Sequence, residues 1–229
     1  MKIGIIGGSA LVGSERFPNL EKKIVATKYG KVEVLADRSL CFLNRHARGL
    51  PPHMINHRAN ISVFEKLGIK EVIGISSVGS LKESLAPGTL VVIDDYIQLS
   101  GIQTFNDKEL KFVVPGFSER LRKILIGSAR QLGIDFSDKG TYIQTQGPRF
   151  ETKAEIRMFS RFADVVGMTL GNEITLAKEK GLDYACMCSV DNYANGIGQE
   201  INWEKIQQIQ KRNVANIRKI LELSIGKIR

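Results

Sequence analysis

The chain has 229 residues, and its 43% hydrophobic content is enough for the buried core of one domain spanning residues 1–229. Its formal net charge of +9 would attract anions. However, the basic residues are scattered and only 7% of the residues are aromatic, which does not favour a nucleic-acid partner. No apolar run reaches the roughly 18 residues of a membrane span, so we expect no membrane partner.

The first residues and the cysteines indicate a compartment. Met1-Lys2 is followed by an apolar run that is too short for a secretion signal, so we expect a strand here and a cytoplasmic protein. Cys41, Cys186 and Cys188 lack the pair spacing of a zinc site, and three thiols cannot all pair within one chain. We therefore expect buried, reduced thiols and no metal.

Strand and helix patterns alternate along the whole chain, which predicts an α/β domain with a parallel or mixed sheet. The first half predicts strands at Lys2–Ile6, Lys23–Ala26, Lys31–Leu35, Leu40–Leu43, Glu71–Ile75 and Thr89–Tyr96, and a helix at Asn56–Leu67. The second half predicts strands at Gly140–Thr145, Ala163–Val166 and Asp183–Val190, and helices at Ser118–Leu132, Lys153–Phe162, Asn172–Lys180 and from Trp203 to about Leu223. In such folds, ligands bind where loops leave the carboxyl ends of strands.

Three segments that follow predicted strands contain groups able to bind an anion. Gly7-Gly8-Ser9 would let backbone amides approach an anion and adds a hydroxyl, although a plain tight turn has the same pattern. Arg45 and His46 would hold a phosphate through a guanidinium fork and a ring nitrogen, although most surface arginines are merely solvated. The small residues Ser76–Ser80 would present amides and hydroxyls, or form a structural turn.

A fourth segment, Gln146–Thr152, contains groups suited to a flat ring. Phe150 would stack on the ring, and Glu151 would accept hydrogen bonds from ring N–H groups. The alternative is that Phe150 belongs to the core and Glu151 caps the next helix.

Together and in chain order, these motifs resemble the trimeric-type nucleoside phosphorylases, the family of purine nucleoside and 5′-methylthioadenosine phosphorylases. The matching motifs are Lys2–Ser9, Asn44–His46, Asn56–Asn60, Val78–Leu81, Gln146–Glu151, Val166–Thr169 and Glu173–Lys178. The resemblance covers nearly the whole chain. It implies a central mixed, partly barrel-like sheet flanked by helices, and a pentosyltransferase that uses inorganic phosphate as co-substrate with no cofactor. It also implies a homotrimer or homohexamer in which a neighbour closes the site.

The resemblance also implies a role for individual residues. The phosphate-binding residues would be Ser9, Arg45, His46, Ser76, Ser77 and Thr169. Met168 would bind the ribose, Phe150 would line the base and ribose pocket, and Val166 and Gly167 would pack on the base.

The chain departs from the family pattern at several positions. Ser9 stands where threonine is more common, which keeps the hydroxyl, and Ala10 replaces a glycine. Asn172 replaces a usual proline, and His57 replaces a common tyrosine. The stretch between Tyr96 and Pro115 is shorter than in many relatives, so we expect part of the pocket to differ there.

Three positions bear on the choice of base. The resemblance matches Glu151 and Asn192 to enzymes that take 6-oxopurines, whereas adenosine-type enzymes have aspartates at the positions of Asn192 and Ala194. The chemistry agrees, because a carboxylate accepts the ring N–H of hypoxanthine or guanine, while adenine offers only a lone pair there. We therefore expect a 6-oxopurine nucleoside. A 5′-methylthioadenosine phosphorylase is the alternative, and Glu151 facing solvent would remove the argument.

The sugar pocket is indicated by the last helix. Relatives that cleave inosine or guanosine place a histidine on it, whereas Ile206 and Trp203 stand there in this chain. An apolar wall suits a 5′-methylthio group, so 5′-methylthioinosine joins inosine and guanosine as a candidate substrate. The two residues would equally fit the core face of an amphipathic helix.

The mechanism that follows has phosphate as the nucleophile, attacking an oxocarbenium-like sugar as the purine leaves. Asn192 would stabilise the N7-protonated purine and Glu151 would hold the ring N–H, so these two residues are the catalytic candidates. A nucleosidase that uses water and a non-catalytic purine-binding protein are the rival interpretations.

Overall fold

The central strands of this protein are buried and largely apolar, and together with more polar outer strands they form one mixed sheet. The structure is a computed structural model that describes residues 2–8, 20–47, 49–198 and 201–228. The strands are β1 (Ile3–Gly7), β2 (Glu21–Thr27), β3 (Gly30–Ala36), β4 (Leu40–Asn44), β5 (Glu71–Ser80), β6 (Leu90–Val92), β7 (Asp95–Gln98), β8 (Phe136–Ser137), β9 (Thr141–Gln144), β10 (Val165–Gly167) and β11 (Asp183–Tyr193).

Helices connect and cover the strands. They are α1 (His57–Lys66), α2 (Glu119–Gln131), α3 (Lys153–Phe159), α4 (Leu170–Glu179) and α5 (Trp203–Ile228), with a short 3-10 helix at Pro52–Met54. α1 begins at Asn56, whose side chain accepts a hydrogen bond from the amide of Ala59. α3 begins with a capping box between Thr152 and Glu155. None of the described helices is both long and apolar enough to cross a membrane.

The sheet order is β2-β3-β4-β1-β5-β10-β9-β7, and β11 pairs with the other edge of β5 and leads on to β6 and β8. The central strands β4, β1, β5 and β11 are parallel, so their carboxyl ends lie at the same edge. β10 is antiparallel to β5 and approaches from the opposite direction. This arrangement confirms the predicted α/β fold with a large mixed sheet flanked by helices.

One edge of β5 is shared by two strands. β1 pairs with its first half, as far as Ile75, and β10 pairs with Gly79 and Ser80 at its end. Within the described part of the chain, the intervening residues Ser76–Val78 have no strand partner on this edge. The carboxyl ends of β1 and β10 therefore point toward each other across a gap, and this is where a ligand can enter the sheet.

The sheet separates two hydrophobic clusters, and β1 contributes to both. Ile3 and Ile5 pack into the cluster beneath α2 and α5, whereas Ile6 packs into the cluster beneath α1 and α4. Gly4 faces the second cluster, where a Cβ atom would lie 2.6 Å from the ring of Phe64. Because side chains alternate along β1, the strand is packed on both faces of the sheet, and this holds its carboxyl end in place beside the gap.

Several predicted boundaries were wrong. The strand predicted at Glu71–Ile75 continues to Ser80, because β10 and β11 pair with the part expected to be a loop. The strand predicted at Thr89–Tyr96 is split into β6 and β7, since one half pairs with β11 and the other with β9. β11 extends to Tyr193, and α5 runs to Ile228.

The three cysteines are free and buried, which confirms the expectation. Burial raises the pKa of the Cys41 thiol to about 11, so this thiol stays protonated and unreactive at neutral pH.

Candidate active site

A cleft with an empty volume of about 850 Å³ opens at the gap in the edge of β5. Its walls come from the ends of β1, β4, β10 and β11, the loop of residues 145–151 and the first turns of α5. Every predicted site residue within the described ranges lines this cleft: Arg45, His46, Ser76, Ser77, Phe150, Glu151, Val166, Gly167, Met168, Thr169, Asn192, Ala194, Trp203 and Ile206. Ser9, the remaining candidate, lies outside the described residues.

Arg45 is only 1% exposed, and its guanidinium fork is occupied by a carboxylate. Nε and Nη2 donate to the two oxygens of Glu173, which is fully buried, at 2.5 and 2.9 Å. Nη1 donates to the carbonyl of Ile75 at 2.8 Å. The bidentate grip that the sequence analysis reserved for phosphate is therefore directed at Glu173, and three of the five guanidinium N–H donors are used.

Burial and charge act against each other in this pair. Burial alone would raise the pKa of Glu173, but the charge and hydrogen bonds of Arg45 outweigh it and hold that pKa below its ordinary value. Burial would lower the pKa of Arg45, and the charge of Glu173 reverses this and raises it. Both groups are therefore ionised at neutral pH, and their charges cancel at the floor of the cleft.

The surroundings of this pair leave little space. The hydroxyl of Tyr184 donates to Glu173 at 2.6 Å. A Cβ at Gly74 would clash with that hydroxyl, and a Cβ at Gly8 would lie 2.7 Å from Nη1 of Arg45. The sequence analysis gave Glu173 and Tyr184 no role. The available signal was a single acidic residue inside the apolar stretch of α4.

Two histidines lie beside the pair. Nδ1 of His46 is 2.8 Å from the carbonyl of Leu50, so Nδ1 holds the proton and Nε2 is left as an acceptor. Burial lowers the pKa of His46, and it lowers that of His57 to about 4. Nδ1 of His57 is 4.0 Å from Glu173 and has no hydrogen-bond partner among the described residues. Both rings are neutral at neutral pH.

Two hydroxyls meet where β10 approaches β5. The Oγ atoms of Ser76 and Thr169 are 3.2 Å apart. Thr169 occupies the N-cap position of α4, but its side chain makes no capping hydrogen bond. The backbone amides of Thr169 and Gly171 donate instead to the hydroxyl of Tyr142 and the side chain of Gln144. The Thr169 hydroxyl is thereby left to the cleft.

The third predicted hydroxyl belongs to a different network. Nε2 of Gln210, on α5, donates to Oγ of Ser77 at 3.2 Å and to Asp191 at 2.8 Å. Burial raises the pKa of Asp191, and hydrogen bonds from Ser189, Ser77 and Gln210 oppose this. These contacts tie the cleft wall of α5 to β5 and β11. Neither Asp191 nor Gln210 was predicted from sequence, because the contacts of Gln210 with Asp191 and Ser77 join separate elements.

The opposite end of the cleft contains a carboxylate and a carboxamide. Glu151 is 6% exposed, and Oε1 accepts a hydrogen bond from the hydroxyl of Thr145 at 2.6 Å. Thr152, not Glu151, caps α3, so the alternative roles of Glu151 as a cap or a solvent-facing residue were wrong. Nδ2 of Asn192 donates to the carbonyl of Tyr193 at 2.7 Å, which fixes the orientation of its amide.

Aromatic rings form the outer rim beside this end. Phe150 is 40% exposed and Trp203 is 65% exposed, and their ring centroids are 5.9 Å apart. Neither is a core residue, so the core alternative was wrong for both. Ile206 is buried and gives this wall of the cleft an apolar surface.

No metal site accompanies these groups in the ranges that the structure describes. Among those residues, no group of three or more histidine, cysteine, aspartate or glutamate side chains could hold a metal ion.

The fold and the cleft define an α/β protein with a buried arginine and two hydroxyls at one end of a small-molecule site. A carboxylate, a carboxamide and aromatic rings stand at the other end. The chain belongs to the phosphorylase superfamily, whose family model matches residues 2–225.

The chain is also similar to named relatives and to solved structures over nearly the whole length of each. A probable 6-oxopurine nucleoside phosphorylase of Archaeoglobus fulgidus is 43% identical, over 99% of this chain and 96% of the relative. An S-methyl-5′-thioadenosine phosphorylase of Pyrococcus abyssi is 38% identical, over 99% of this chain and 93% of the relative. The structure of a Schistosoma mansoni methylthioadenosine phosphorylase with adenine superposes with a TM-score of 0.89 at 28% identity, covering 100% of this chain and 91% of the other.

Proposed function

We propose that this protein is a purine nucleoside phosphorylase. It cleaves the N-glycosidic bond of a 6-oxopurine nucleoside with inorganic phosphate and releases the free purine and ribose 1-phosphate or its 5-methylthio form. The observation that carries the proposal is the joining of an arginine–hydroxyl end and a glutamate–asparagine end in one cleft. The Archaeoglobus fulgidus relative, which bears the name of this activity, supports the same assignment.

Phosphate binds at the end formed by Arg45, His46, Ser76 and Thr169. Arg45 keeps two N–H donors that Glu173 and Ile75 do not use, and these would hydrogen-bond the anion, although the charge of the guanidinium is already balanced by Glu173. Nε2 of neutral His46 accepts the hydroxyl of monohydrogen phosphate. The hydroxyl of Ser77 is already bound to Gln210, so we expect it to contribute less than Ser76 and Thr169.

Catalysis then consists of positioning and charge stabilisation. Phosphate held beneath the anomeric carbon attacks as the C–N bond breaks, and the bonding electrons leave with the purine. Fixing the nucleophile and the sugar together can supply about 7–11 kcal/mol of the barrier. Asn192 binds the N7-protonated purine through its Oδ1, since one of its N–H groups is committed to Tyr193. No metal or organic cofactor is required for this chemistry.

The base is read by Glu151. A buried carboxylate accepts the ring N–H of hypoxanthine or guanine, and it meets adenine lone pair to lone pair. Ala194, also on the cleft wall, offers no acceptor to the exocyclic amine of adenine. A 5′-methylthioadenosine phosphorylase is the second candidate, and it is favoured by the names of the Pyrococcus abyssi and Schistosoma mansoni proteins.

The 5′ group of the sugar lies against the wall formed by Trp203 and Ile206. Val166, Gly167 and Met168, from β10 and the turn after it, form the neighbouring surface for the base and ribose. Apart from the indole N–H of Trp203 this wall is apolar, which favours a 5′-methylthio group over a hydroxyl. We therefore place 5′-methylthioinosine ahead of inosine and guanosine.

We also propose that the active form is a homotrimer or homohexamer. The segment between β7 and α2 exposes large apolar side chains in an extended stretch, with Leu110, Phe112 and Val114 each more than four-fifths exposed. A patch of this kind on a soluble enzyme marks a protein contact, and a second copy of the chain would cover it. Sedimentation velocity tests the point: a monomer at micromolar concentration would contradict it.

The test of the function is purine release, followed by ultraviolet absorbance with and without phosphate. The substrates are inosine, guanosine, 5′-methylthioinosine and 5′-methylthioadenosine. We expect release that requires phosphate and is fastest with a 6-oxopurine. Preference for 5′-methylthioadenosine would favour the second candidate, and release of free sugar without phosphate would make the protein a nucleosidase.

A further inference from the structure

The loop of residues 145–151 brings a threonine against the glutamate at the base end. Thr145 follows β9, and its backbone amide donates to the carbonyl of Gly167 at 2.9 Å, which anchors it to β10. Its hydroxyl donates to Oε1 of Glu151 at 2.6 Å. The carbonyl of Glu151 accepts from Nδ2 of Asn195 at 3.0 Å. Both the main chain and one carboxylate oxygen of Glu151 are therefore held.

The hydroxyl of Thr145 has only one proton to give. The carbonyl of Gly167 is the other acceptor within reach, but at 3.5 Å it is much farther than Glu151. The proton therefore belongs to Oε1 of Glu151. The second oxygen, Oε2, has no hydrogen-bond partner in the described part of the chain. Since Glu151 lines the cleft, Oε2 is the oxygen that can accept a ring N–H.

Glu151 borders a second cavity as well as the cleft. This cavity has an empty volume of about 990 Å³, and Thr145 also borders it. Arg149 lines this cavity and is paired with Glu155 at 2.8 Å. The contacts with Glu155 raise the pKa of Arg149, and the charge of Glu151 adds to the effect. A Glu151 side chain freed from Thr145 would therefore be attracted to the guanidinium of Arg149 in this cavity.

We propose that Thr145 is a positioning residue that sets the base selectivity of the enzyme. By holding Oε1, it keeps the carboxylate of Glu151 facing the base, so that Oε2 accepts the ring N–H of a 6-oxopurine. Without the hydroxyl, the carboxylate turns toward Arg149 and the preference for 6-oxopurines falls. This inference rests on the proposed function, and it adds a residue that never touches the substrate.

The test compares Thr145→Val, which is nearly isosteric, with Thr145→Ser, which keeps the hydroxyl. Steady-state kinetics are measured with the 6-oxo and 6-amino nucleosides of the sugar that the wild type prefers. We expect Thr145→Val to lower kcat/KM for the 6-oxo substrate by roughly 10- to 100-fold, as for loss of a hydrogen bond to a charged group. The kcat/KM for the 6-amino substrate and the KM for phosphate are expected to stay unchanged. Thr145→Ser is expected to retain the wild-type ratio of kcat/KM between the 6-oxo and 6-amino substrates.

Glu151→Ser separates failure of this inference from failure of the proposed function. If Thr145 acts through Glu151, Thr145→Val has no further effect on the substrate ratio in a Glu151→Ser background. A lowered ratio in Glu151→Ser beside an unchanged ratio in Thr145→Val would overturn the role of Thr145 alone. An unchanged ratio in both would overturn it together with the base-reading role of Glu151. Thr145→Ala is read in the same way if Thr145→Val does not fold.

Discussion

The two ends of the cleft are built in different ways. At the phosphate end, the charged groups Arg45 and Glu173 are buried and paired with each other. Further hydrogen bonds join Arg45 to Ile75 and Glu173 to Tyr184. At the base and sugar end, Phe150 and Trp203 are largely exposed, and Glu151 is held through one threonine hydroxyl and one backbone contact. The nucleophile is the same for every substrate, whereas the base and the 5′ group differ among relatives.

The two ends therefore differ in how much they contribute to the stability of the fold. A buried ion pair costs several kcal/mol per ion in desolvation, and good geometry must recover that cost. At the phosphate end, the pair joins the turn after β4 to α4 and is hydrogen-bonded to Ile75 of β5 and Tyr184 of β11, so a change there disturbs the contact between helix and sheet. The base end lies on a loop and a helix start, where a substitution alters few packing contacts. We therefore expect substitutions at the first end to affect folding and all substrates, and substitutions at the second to affect substrate choice.

The largest effect is expected from Glu173→Ala. It leaves the cation of Arg45 buried without a partner, which should lower the free energy of unfolding by about 3–5 kcal/mol. Urea denaturation in the absence of phosphate measures this loss, and kcat/KM should fall for every nucleoside because Arg45 is no longer held in place by Glu173. Glu222→Ala removes an exposed ion pair with Arg218 on α5 and serves as the control. Equal stability of the two variants would contradict the structural role of the buried pair.

Asn192→Ala should reduce turnover strongly while the protein stays folded. Loss of one preorganised group at a developing charge lowers kcat by about 10²- to 10³-fold. The KM for phosphate should change little, because Asn192 belongs to the base end. Tyr193→Phe, at the adjacent position of β11, is the matched control. Unchanged turnover in Asn192→Ala would rule out its contact with N7.

The phosphate end should also respond to acid through His57. Its pKa of about 4 in the folded state lies below the ordinary value of 6.5, because burial disfavours the imidazolium. The unfolded chain therefore takes up a proton first, and stability should fall as the pH drops from about 6.5 to about 4, by on the order of 3 kcal/mol. Denaturation at several pH values measures the slope. His57→Phe should flatten it, and an identical slope in that variant would refute the assignment.

Glu151→Ser should change selectivity more than stability. Removing the carboxylate lowers kcat/KM for 6-oxopurine nucleosides by roughly 10- to 100-fold and leaves adenine nucleosides without the repulsive contact. Competition between the two substrates in one reaction measures the ratio directly. A constant ratio with reduced overall rate would mean that Glu151 supports the loop and does not read the base.

Much of the fold could be predicted from sequence because β1 is a short apolar run and β9 lies in a stretch, Gly140–Thr145, that alternates like a strand before Gly147-Pro148. The division of Thr89–Tyr96 into β6 and β7 could not, since only the sheet decides which strand each half pairs with. Likewise, Ser76–Ser80 was expected to be a loop because small residues mark turns as readily as they mark the close approach of two strands.

The same limit applied to the candidate site, where the residues themselves could be predicted from sequence but their partners could not. Arg45 was predicted because its motif places a polar group after a strand, whereas Thr169 was predicted only through the resemblance of Val166–Thr169 to the family motif. The partners that orient them were not found. Glu173 lies 128 residues from Arg45, and Thr145 reaches Glu151 only through the fold of the intervening loop. A sequence pattern shows which groups are available, and tertiary contacts decide where they point.

We expect the two ends to act independently: the phosphate end affects the reaction of every substrate, and the base end determines substrate choice. A double-mutant cycle with Tyr184→Phe, which removes one hydrogen bond to Glu173, and Glu151→Ser tests this most directly. We predict that the losses in log kcat/KM for a 6-oxopurine nucleoside add, and that Tyr184→Phe leaves the 6-oxo to 6-amino ratio unchanged. A clear departure from additivity, or a changed ratio in Tyr184→Phe, would show that the two ends are coupled and do not act independently.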